Sequence, residues 1–453
     1  MDVTMEQIVS LCKRRGFIYP GSEIYGGLSG AWDYGPLGVE LKNNIKSLWW
    51  KMFVQQREDM YGLDAAILMH PRVWEASGHV SGFSDPLVEC KKCKRRFRAD
   101  QTAGPERSRG ISVCPECEGT LGEVRQFNMM FKTQIGATED PSAITYLRPE
   151  TAGGIFVNFK NVVDSFHPKL PFGIAQIGKA FRNEIAPRDF IFRIRELEQM
   201  EIEYFVRPEE WKEAFELWRN NVHTFNEAIG ISKDLVHELE VPDGERAHYS
   251  KRTIDFEFDF PFGRKELYGL AYRTDFDLSS HSKASSVDLK IADEEGKEPI
   301  TPHVVEPSFG VDRTILALLI SSYREDELGG DPGTTSPAGL ATGQGKRVYL
   351  KFNKDIAPVK AAVFPLLKNK PELVKKAREV YSLLKADTCK LKAVAWDDNG
   401  NIGKRYRRQD EIGTPSCITI DFQTLEDDTV TIRNRDTGEQ HRTAIVEIIA
   451  ELS

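Results

Sequence analysis

Two C-x-x-C pairs constrain this chain more than any other feature. Cys90 and Cys93 form one pair, Cys114 and Cys117 the other, with 20 residues between them. Four thiolates on two tight knuckles suit a single tetrahedral zinc ion, and such an ion pins a hairpin too small to fold unaided. A closed set of four leaves no open coordination position, so the expected role is structural rather than hydrolytic. The competing readings are a ribbon that has lost its metal, or two redox pairs. The intervening run KRRFRADQTAGPERSRG is basic and loop-like. Cys12, Cys389 and Cys417 are scattered. In a reducing compartment, paired knuckles favour metal over disulfide. The expected zinc-ribbon-like module covers residues 89–121.

The chain has 453 residues, enough for two to four domains. Hydrophobic residues make up 40% and charged residues 29%, which excludes a mostly disordered or collagen-like chain. No apolar run is long enough to span a bilayer, so no membrane is expected among the partners. The start, MDVTMEQIV, lacks a basic region followed by an apolar core, and the expected compartment is the cytoplasm. The net charge of −8 argues against bulk electrostatic binding of nucleic acid. The charge is uneven, however. Residues 346–453 carry 20 basic and 16 acidic side chains, the rest 41 and 53. A polyanion therefore fits the C-terminal end better.

The segment 329–345, GGDPGTTSPAGLATGQG, has no apolar periodicity and reads as a linker; the alternative is a long surface loop. Beyond it, strand-like runs (AAVFPLL, KLKAVAW, CITIDF) alternate with helical ones (PELVKKAREVYSLLKAD, GKRYRRQDEIG), giving an α/β domain over 346–453. Upstream, residues 39–56 have helical spacing and AAILMHP suggests a strand ending at Pro71. TIDFEFDF alternates as an antiparallel strand does, and TILALLISSY reads as a buried helix. The expected class is α+β, an antiparallel sheet with flanking helices over 1–88 and 122–328.

Three stretches carry candidate chemistry. The first is FRNE (181–184) followed by Arg193-x-x-x-Leu197-x-x-x-Glu201. The second is GVDRTILAL (310–318), and the third is the helix 39–56 with its following strand. They resemble motifs 2, 3 and 1 of the class II aminoacyl-tRNA synthetases. DYGPLGVELKNNI, HPRVWEASGH, LRPETAGGIFVNF, RNEIAPR, RTDFDLSSH, HVVEPSFGVDR and GKRYRRQDEIGTP resemble the homodimeric type of glycyl-tRNA synthetase, over almost the whole chain. The resemblance implies activation of glycine with ATP to glycyl-adenylate, then transfer to the terminal ribose of the tRNA for glycine. It also implies a class II antiparallel sheet and a C-terminal anticodon-binding domain.

The resemblance makes Arg182 and Arg313 the catalytic residues. An anionic carboxylate must approach an anionic α-phosphate, so guanidinium groups have to neutralise the charge that builds. The ATP-binding set is Arg182, Asn183, Glu184, Phe192, Arg193, Leu197, Glu266, Leu267, Gly310 and Arg313, with Glu266 a candidate ligand for Mg2+ accompanying ATP. No general base is assigned, since positioning and neutralisation supply most of the rate. Glu150, Glu201 and Glu306 match the acids of the glycine pocket, Ser308 its hydroxyl and Arg273 its arginine. Arg98 matches a position near the substrate. Three acids near one cation repel when the site is empty, so one is expected to hold a proton or to pair with Arg273. Rejecting alanine requires a rigid wall, because one methylene is worth only about 1–3 kcal/mol.

Three positions depart from the family pattern. Gly153 stands where Gln is usual, and Tyr272 where a smaller polar residue is usual. Leu197 replaces a Phe that stacks on adenine, which is expected to weaken ATP binding by roughly 0.5–1.5 kcal/mol. In the C-terminal domain, Arg405 and Arg408 beside Tyr406 are the expected tRNA contacts, since basic groups with an aromatic suit single-stranded RNA. A homodimer is expected through the helix bearing Trp49 and Trp50; the alternative places both in the monomer's own core. Two other functions compete: a class II synthetase for another small amino acid, and a catalytically silent RNA-binding paralogue.

Overall fold

A computed structural model describes residues 3–99, 113–137, 140, 143–247, 249–292, 298–327, 346–386 and 393–452. Its centre is a seven-stranded sheet. The strands are β1 (Met60–Gly62), β2 (Phe172–Phe181), β3 (Glu196–Val206), β4 (Val236–Glu240), β5 (Arg252–Phe260), β6 (Gly263–Thr274) and β7 (His303–Gly310). Their spatial order is β4-β5-β6-β7-β3-β2-β1, antiparallel throughout except for the β1–β2 pair at one edge. The alternation in TIDFEFDF appears as expected, with Ile254, Phe256, Phe258 and Phe260 buried on one side of β5.

Each face of the sheet is sealed by helices. On one side lie α1 (Met5–Arg15), α2 (Pro36–Trp50), α4 (Trp211–Ile229) and α6 (Val311–Ser322), packed with Met200, Ile202, Tyr204 and Val206 of β3. On the other lie α3 (Ala152–Phe166) and α5 (Phe276–Ser285), packed with Phe172, Ile174, Phe205 and Val304. Side chains alternate along a strand, so Leu197, Gln199, Glu201 and Glu203 share the face of Phe205. This face is apolar at one end of β3 and polar toward the other, and the polar part carries the site.

Helix α2 begins at Pro36, a favoured first helical position, and runs into a wider turn over Lys51–Gln55. Trp49 is fully buried in the protein's own core, 5.7 Å from Phe53 and 6.0 Å from Phe309. Trp50 packs partly buried against Gly62, where a Cβ would lie 2.4 Å from its ring. The paired tryptophans are thus explained within one chain and give no support to a second copy. The expected strand ending at Pro71 does not form. Leu68 makes a single bridge to Leu147, while the carbonyls of Ala65 and Met69 accept from Arg148 (2.7 Å) and Thr145 (2.9 Å). Side-chain donors here replace a strand neighbour.

The C-terminal unit is a five-stranded mixed sheet of β8 (Ala361–Pro365), β9 (Val394–Trp396), β10 (Ser416–Ile420), β11 (Thr429–Asn434) and β12 (Gln440–Ala444), in the order β9-β8-β10-β11-β12. Helices α7 (Pro371–Ala386) and α8 (Ile402–Ile412) accompany it. Strand 347–350 pairs with 323–326, just after α6, and Arg347 bridges Asp326 (2.5 Å) and Asp410 (3.2 Å). The linker expected over 329–345 lies outside the described residues. Among the described residues no helix is long and apolar enough to cross a membrane.

Trp49→Ala is expected to destabilise the catalytic core by about 3–5 kcal/mol, because the ring's neighbours cannot close the cavity. Urea denaturation followed by aromatic fluorescence checks this. A loss below 1 kcal/mol would place the indole outside the core.

Candidate active site

The polar end of the sheet holds two adjoining sites. The first is an open cleft of about 700 Å3 lined by Arg182, Glu184, Phe192, Arg193, Leu197, Gln199, Glu266, Leu267, Ser308, Gly310, Asp312 and Arg313, among others. Arg182 follows β2 directly; its Nε donates to Pro149 O (3.0 Å) and its guanidinium lies 5.5 Å from the Phe83 ring centroid. Arg313 stands in the first turn of α6 on the opposite wall. It pairs with Glu266 Oε2 (3.0 Å) and lies 4.5 Å over Phe192. Glu266 is held below the usual carboxylate range chiefly by Arg313, with Arg182 and Arg193 adding to the effect. Among the described residues, Glu184 Oε2 and Arg193 Nη1 are buried without hydrogen-bond partners. Such orphaned groups are costly unless something binds them.

The second site is an acid pocket. Glu201 accepts from Thr151 N (3.1 Å), Thr151 Oγ1, Ser308 Oγ (2.8 Å) and Gln199 Nε2 (2.8 Å). Four donors thus converge on this one carboxylate. Arg273, 1% exposed, binds Asp277 with two nitrogens (2.7 and 2.8 Å) and Glu306 with a third (2.9 Å). Glu150 faces His79 Nε2 at 3.3 Å. Burial alone would raise the Glu150 carboxyl, but His79, Arg273 and Arg182 hold it at about 2. Burial pushes Glu306 up to about 8; Arg273 opposes this, and the charges of Glu201 and Glu150 add to it. Glu306 is thus an acid that pairs with Arg273 and takes up a proton more readily than an ordinary glutamate.

The two sites share atoms: Ser308 and Gln199 line the cleft, and both donate to the same oxygen of Glu201. Arg98 lies on a short strand beside the knuckles, bonded to Asp85 (2.5 Å) and electrostatically coupled to Arg193. Asn183 does not line the cleft; its backbone N–H donates to Met129 O (2.7 Å). A side chain longer than hydrogen at Gly153 would meet the Trp74 ring at 2.8 Å, so the missing Gln reflects packing. Tyr272 does not shape the pocket either. It points to the opposite face of β6 from Arg273, stacking on Trp211 at 4.1 Å and bonding His303 (2.6 Å).

Several neighbours were not singled out from sequence: Gln199, Thr151, His79, Asp277 and Asp312. Asp312 accepts from Tyr34 Oη (2.5 Å) and from Glu198 N (2.9 Å). Period-2 alternation around Glu201 is the signal that finds Gln199.

The four knuckle cysteines converge, with every pair of sulfurs within 4.8 Å. Cys90–Cys117 is 3.5 Å and Cys93–Cys114 is 3.7 Å, and all four are free thiols. This cluster has the geometry to hold a metal ion. In the C-terminal unit the expectation for Arg405 is corrected. Arg405 is 1% exposed, and its guanidinium donates to the carbonyls of Pro365, Asp398 (3.1 Å) and Gly400 (2.8 Å), so the group is turned inward, away from an external phosphate. Arg408 binds Asp397 with two nitrogens (both 2.8 Å) and stays 29% exposed.

An antiparallel sheet with arginines on opposite walls of a cleft, one in the turn after a strand and one at a helix start, defines a class II aminoacyl-tRNA synthetase core. The family description "tRNA synthetase class II core domain (G, H, P, S and T)" matches residues 131–322, and "Anticodon binding domain" matches 360–453. The chain is 48% identical over 451 residues to a protein of Treponema denticola named glycine–tRNA ligase, covering 99% of this chain and 96% of the other. Its identity to the proteins of that name from Clostridium tetani is 50% over 477 residues (100% and 98% covered), and from Thermobifida fusca 49% over 458 (98% and 96%). The chain belongs to the glycine–tRNA ligase family.

The Glu306 carboxyl has a sign that can be checked. An ordinary glutamate titrates near 4.5 and this one near 8, so between those values the folded chain holds the extra proton. Its contribution to stability therefore falls as pH rises through that window. Relative to Glu306→Gln, the wild type is expected to lose denaturation midpoint from about pH 5 to about pH 8 and then level off. A difference that stays flat across the window would show that Glu306 titrates normally.

Proposed function

We propose that the ligation of glycine to tRNA, the activity of this family, runs here through one continuous cavity. ATP occupies the cleft and glycine the acid pocket. The supporting observation is the pair Ser308 and Gln199, which belongs to both sites and aims two donors at Glu201. The carboxylates of Glu150, Glu201 and Glu306 receive the glycine ammonium, while Ser308 and the strand backbone leave no space for a side chain. Arg182 bridges the glycine carboxylate and the α-phosphate. An oxygen of that carboxylate bonds to the α-phosphorus, and pyrophosphate leaves toward Arg313 and Arg193. Glu184, with its unpartnered oxygen, accepts from the adenine amino group. The terminal ribose hydroxyl of the tRNA then takes the glycyl group and AMP leaves.

Glu266 is the candidate ligand for Mg2+, which supplies further neutralisation of the phosphates when bound. The knuckle thiolates hold Zn2+: bonds of about 2.3 Å give a tetrahedral edge of about 3.8 Å, close to the sulfur separations found here. The C-terminal domain binds the tRNA anticodon, with Arg408 at its basic helix. A homodimer is supported by a protruding apolar loop, where Ile24, Tyr25 and Leu28 are 89%, 86% and 63% exposed. The place of action is the cytoplasm.

ATP–pyrophosphate exchange measured with each of the common amino acids tests this reading. Glycine alone is expected to support exchange, and Arg182→Ala to lower it on the order of 100–1,000-fold. Exchange with serine, proline or alanine at a comparable rate would overturn it. A second test concerns the knuckles. Cys114→Ser, or treatment with a strong chelator, is expected to release about one zinc per chain and unfold the module. Elemental analysis finding no zinc in the native protein would reject the metal.

A further inference from the structure

One buried acid of the pocket has no role so far. Glu203 is fully buried, and no hydrogen-bond donor among the described residues reaches either of its oxygens. Its place in the sheet follows from the register. Glu201 faces Ser308 and Tyr204 faces Val305 across β3 and β7, so Glu203 stands directly opposite Glu306. Opposed residues point to the same face, with Cβ atoms roughly 4.5–5.5 Å apart. On its other side Glu203 faces Ile174 of β2, and Phe205 follows two residues along; both belong to the apolar cluster under α3 and α5. The charged or titratable groups that act on it are Glu306 of β7, Arg273 of β6, Glu201 of its own strand and Asp277 of α5.

An ionised carboxylate in this position is untenable. It would be a buried charge without a donor, directly opposite a second acid. Arg273 makes no hydrogen bond to it; each of its three guanidinium nitrogens donates instead to Asp277 or Glu306. The electrostatics agree: burial first, and Glu306 second, push this carboxyl well above its ordinary range. A protonated Glu203 needs an acceptor for its O–H, and Glu306 stands opposite it.

We propose that Glu203 is a neutral carboxylic acid and a positioning residue of the amino-acid pocket, donating a hydrogen bond to Glu306 when Glu306 receives the substrate ammonium. The proton of Glu203 stays on Glu203 throughout. Glu306 thereby gains a second fixed donor beside Arg273, which orients its carboxylate toward the ligand. The pocket also carries one negative charge fewer than its residue count suggests, so the ionised acids match Arg273 and a single incoming ammonium more closely. This inference rests on the glycine pocket proposed above.

The test compares two substitutions in glycine-dependent ATP–pyrophosphate exchange by the full chain. Glu203→Gln keeps a neutral donor of the same size, and its glycine KM at neutral pH is expected to stay within about threefold of wild type. Glu203→Leu keeps the volume without a donor, and is expected to raise glycine KM at least tenfold while kcat and the KM for ATP change less than threefold. A Gln variant as impaired as the Leu variant would mean that the charge is required, overturning the proposal; a Leu variant with unchanged glycine KM would do the same. Infrared spectroscopy gives a readout that survives a poorly folding Leu variant. A protonated-carboxyl C=O stretch is expected in the wild type with glycine bound and should be absent in Glu203→Gln; its persistence in that variant rejects the assignment. If glycine supports no exchange in the wild type, or Glu306→Gln leaves glycine KM unchanged, the pocket itself is misplaced, a result distinct from failure at Glu203.

Discussion

The catalytic unit depends on one buried guanidinium. Arg273 is almost sealed from water and is held by three nitrogens between Asp277 of α5 and Glu306 of β7. The planar fork suits two carboxylates at once, and two aromatic rings lie against the guanidinium, with the Tyr249 centroid 3.8 Å and the Phe156 centroid 5.3 Å away. Without a fixed cation, the acids of neighbouring strands would be driven apart or neutralised. With it, a helix and two strands are locked in one geometry and Glu150, Glu201 and Glu306 can share a small volume. The fold and the pocket are therefore stabilised by the same contact.

Much of this was legible in the primary sequence, for identifiable reasons. Period-2 alternation in β5 and the apolar run of α6 depend on local pattern, and both elements form as expected. The knuckle spacing likewise needs no tertiary knowledge, and the thiols converge. Elsewhere the pattern misled. The basic run of α8 reads as a tRNA contact, yet the Arg405 guanidinium turns back onto the carbonyls of Pro365, Asp398 and Gly400. AAILMHP is apolar enough for a strand, but Arg148 and Thr145, distant in sequence, take its carbonyls. Tyr272 precedes Arg273 and for that reason faces away from it. Glu203 lies at no motif position, and only the alternation that places it two residues beyond Glu201 puts it on the face of the pocket.

Long-range polar contacts tie the three motif regions together. Asp312, beside Arg313, accepts from Tyr34 and from the backbone N–H of Glu198. Glu198 in turn binds Lys42 (2.6 Å) and Lys46 (3.0 Å) of α2. The residues flanking the cleft on three separate stretches of chain are thus fixed by one polar network, whose members Glu198 and Asp312 themselves line the cleft. Pre-set walls of this kind suit a reaction driven by charge neutralisation, because little reorganisation is left for the moment of bond formation.

Ser308 connects the two halves of the cavity through a single hydroxyl. An enzyme whose selectivity and chemistry reside in separate parts can be adapted piecemeal; in the arrangement proposed above, the residue that bonds Glu201 of the acid pocket also lines the ATP cleft. In that arrangement, any lineage that widened the acid pocket for a bulkier substrate would disturb the adjoining cleft in the same step. Such coupling narrows the mutational routes by which the site could drift to another amino acid.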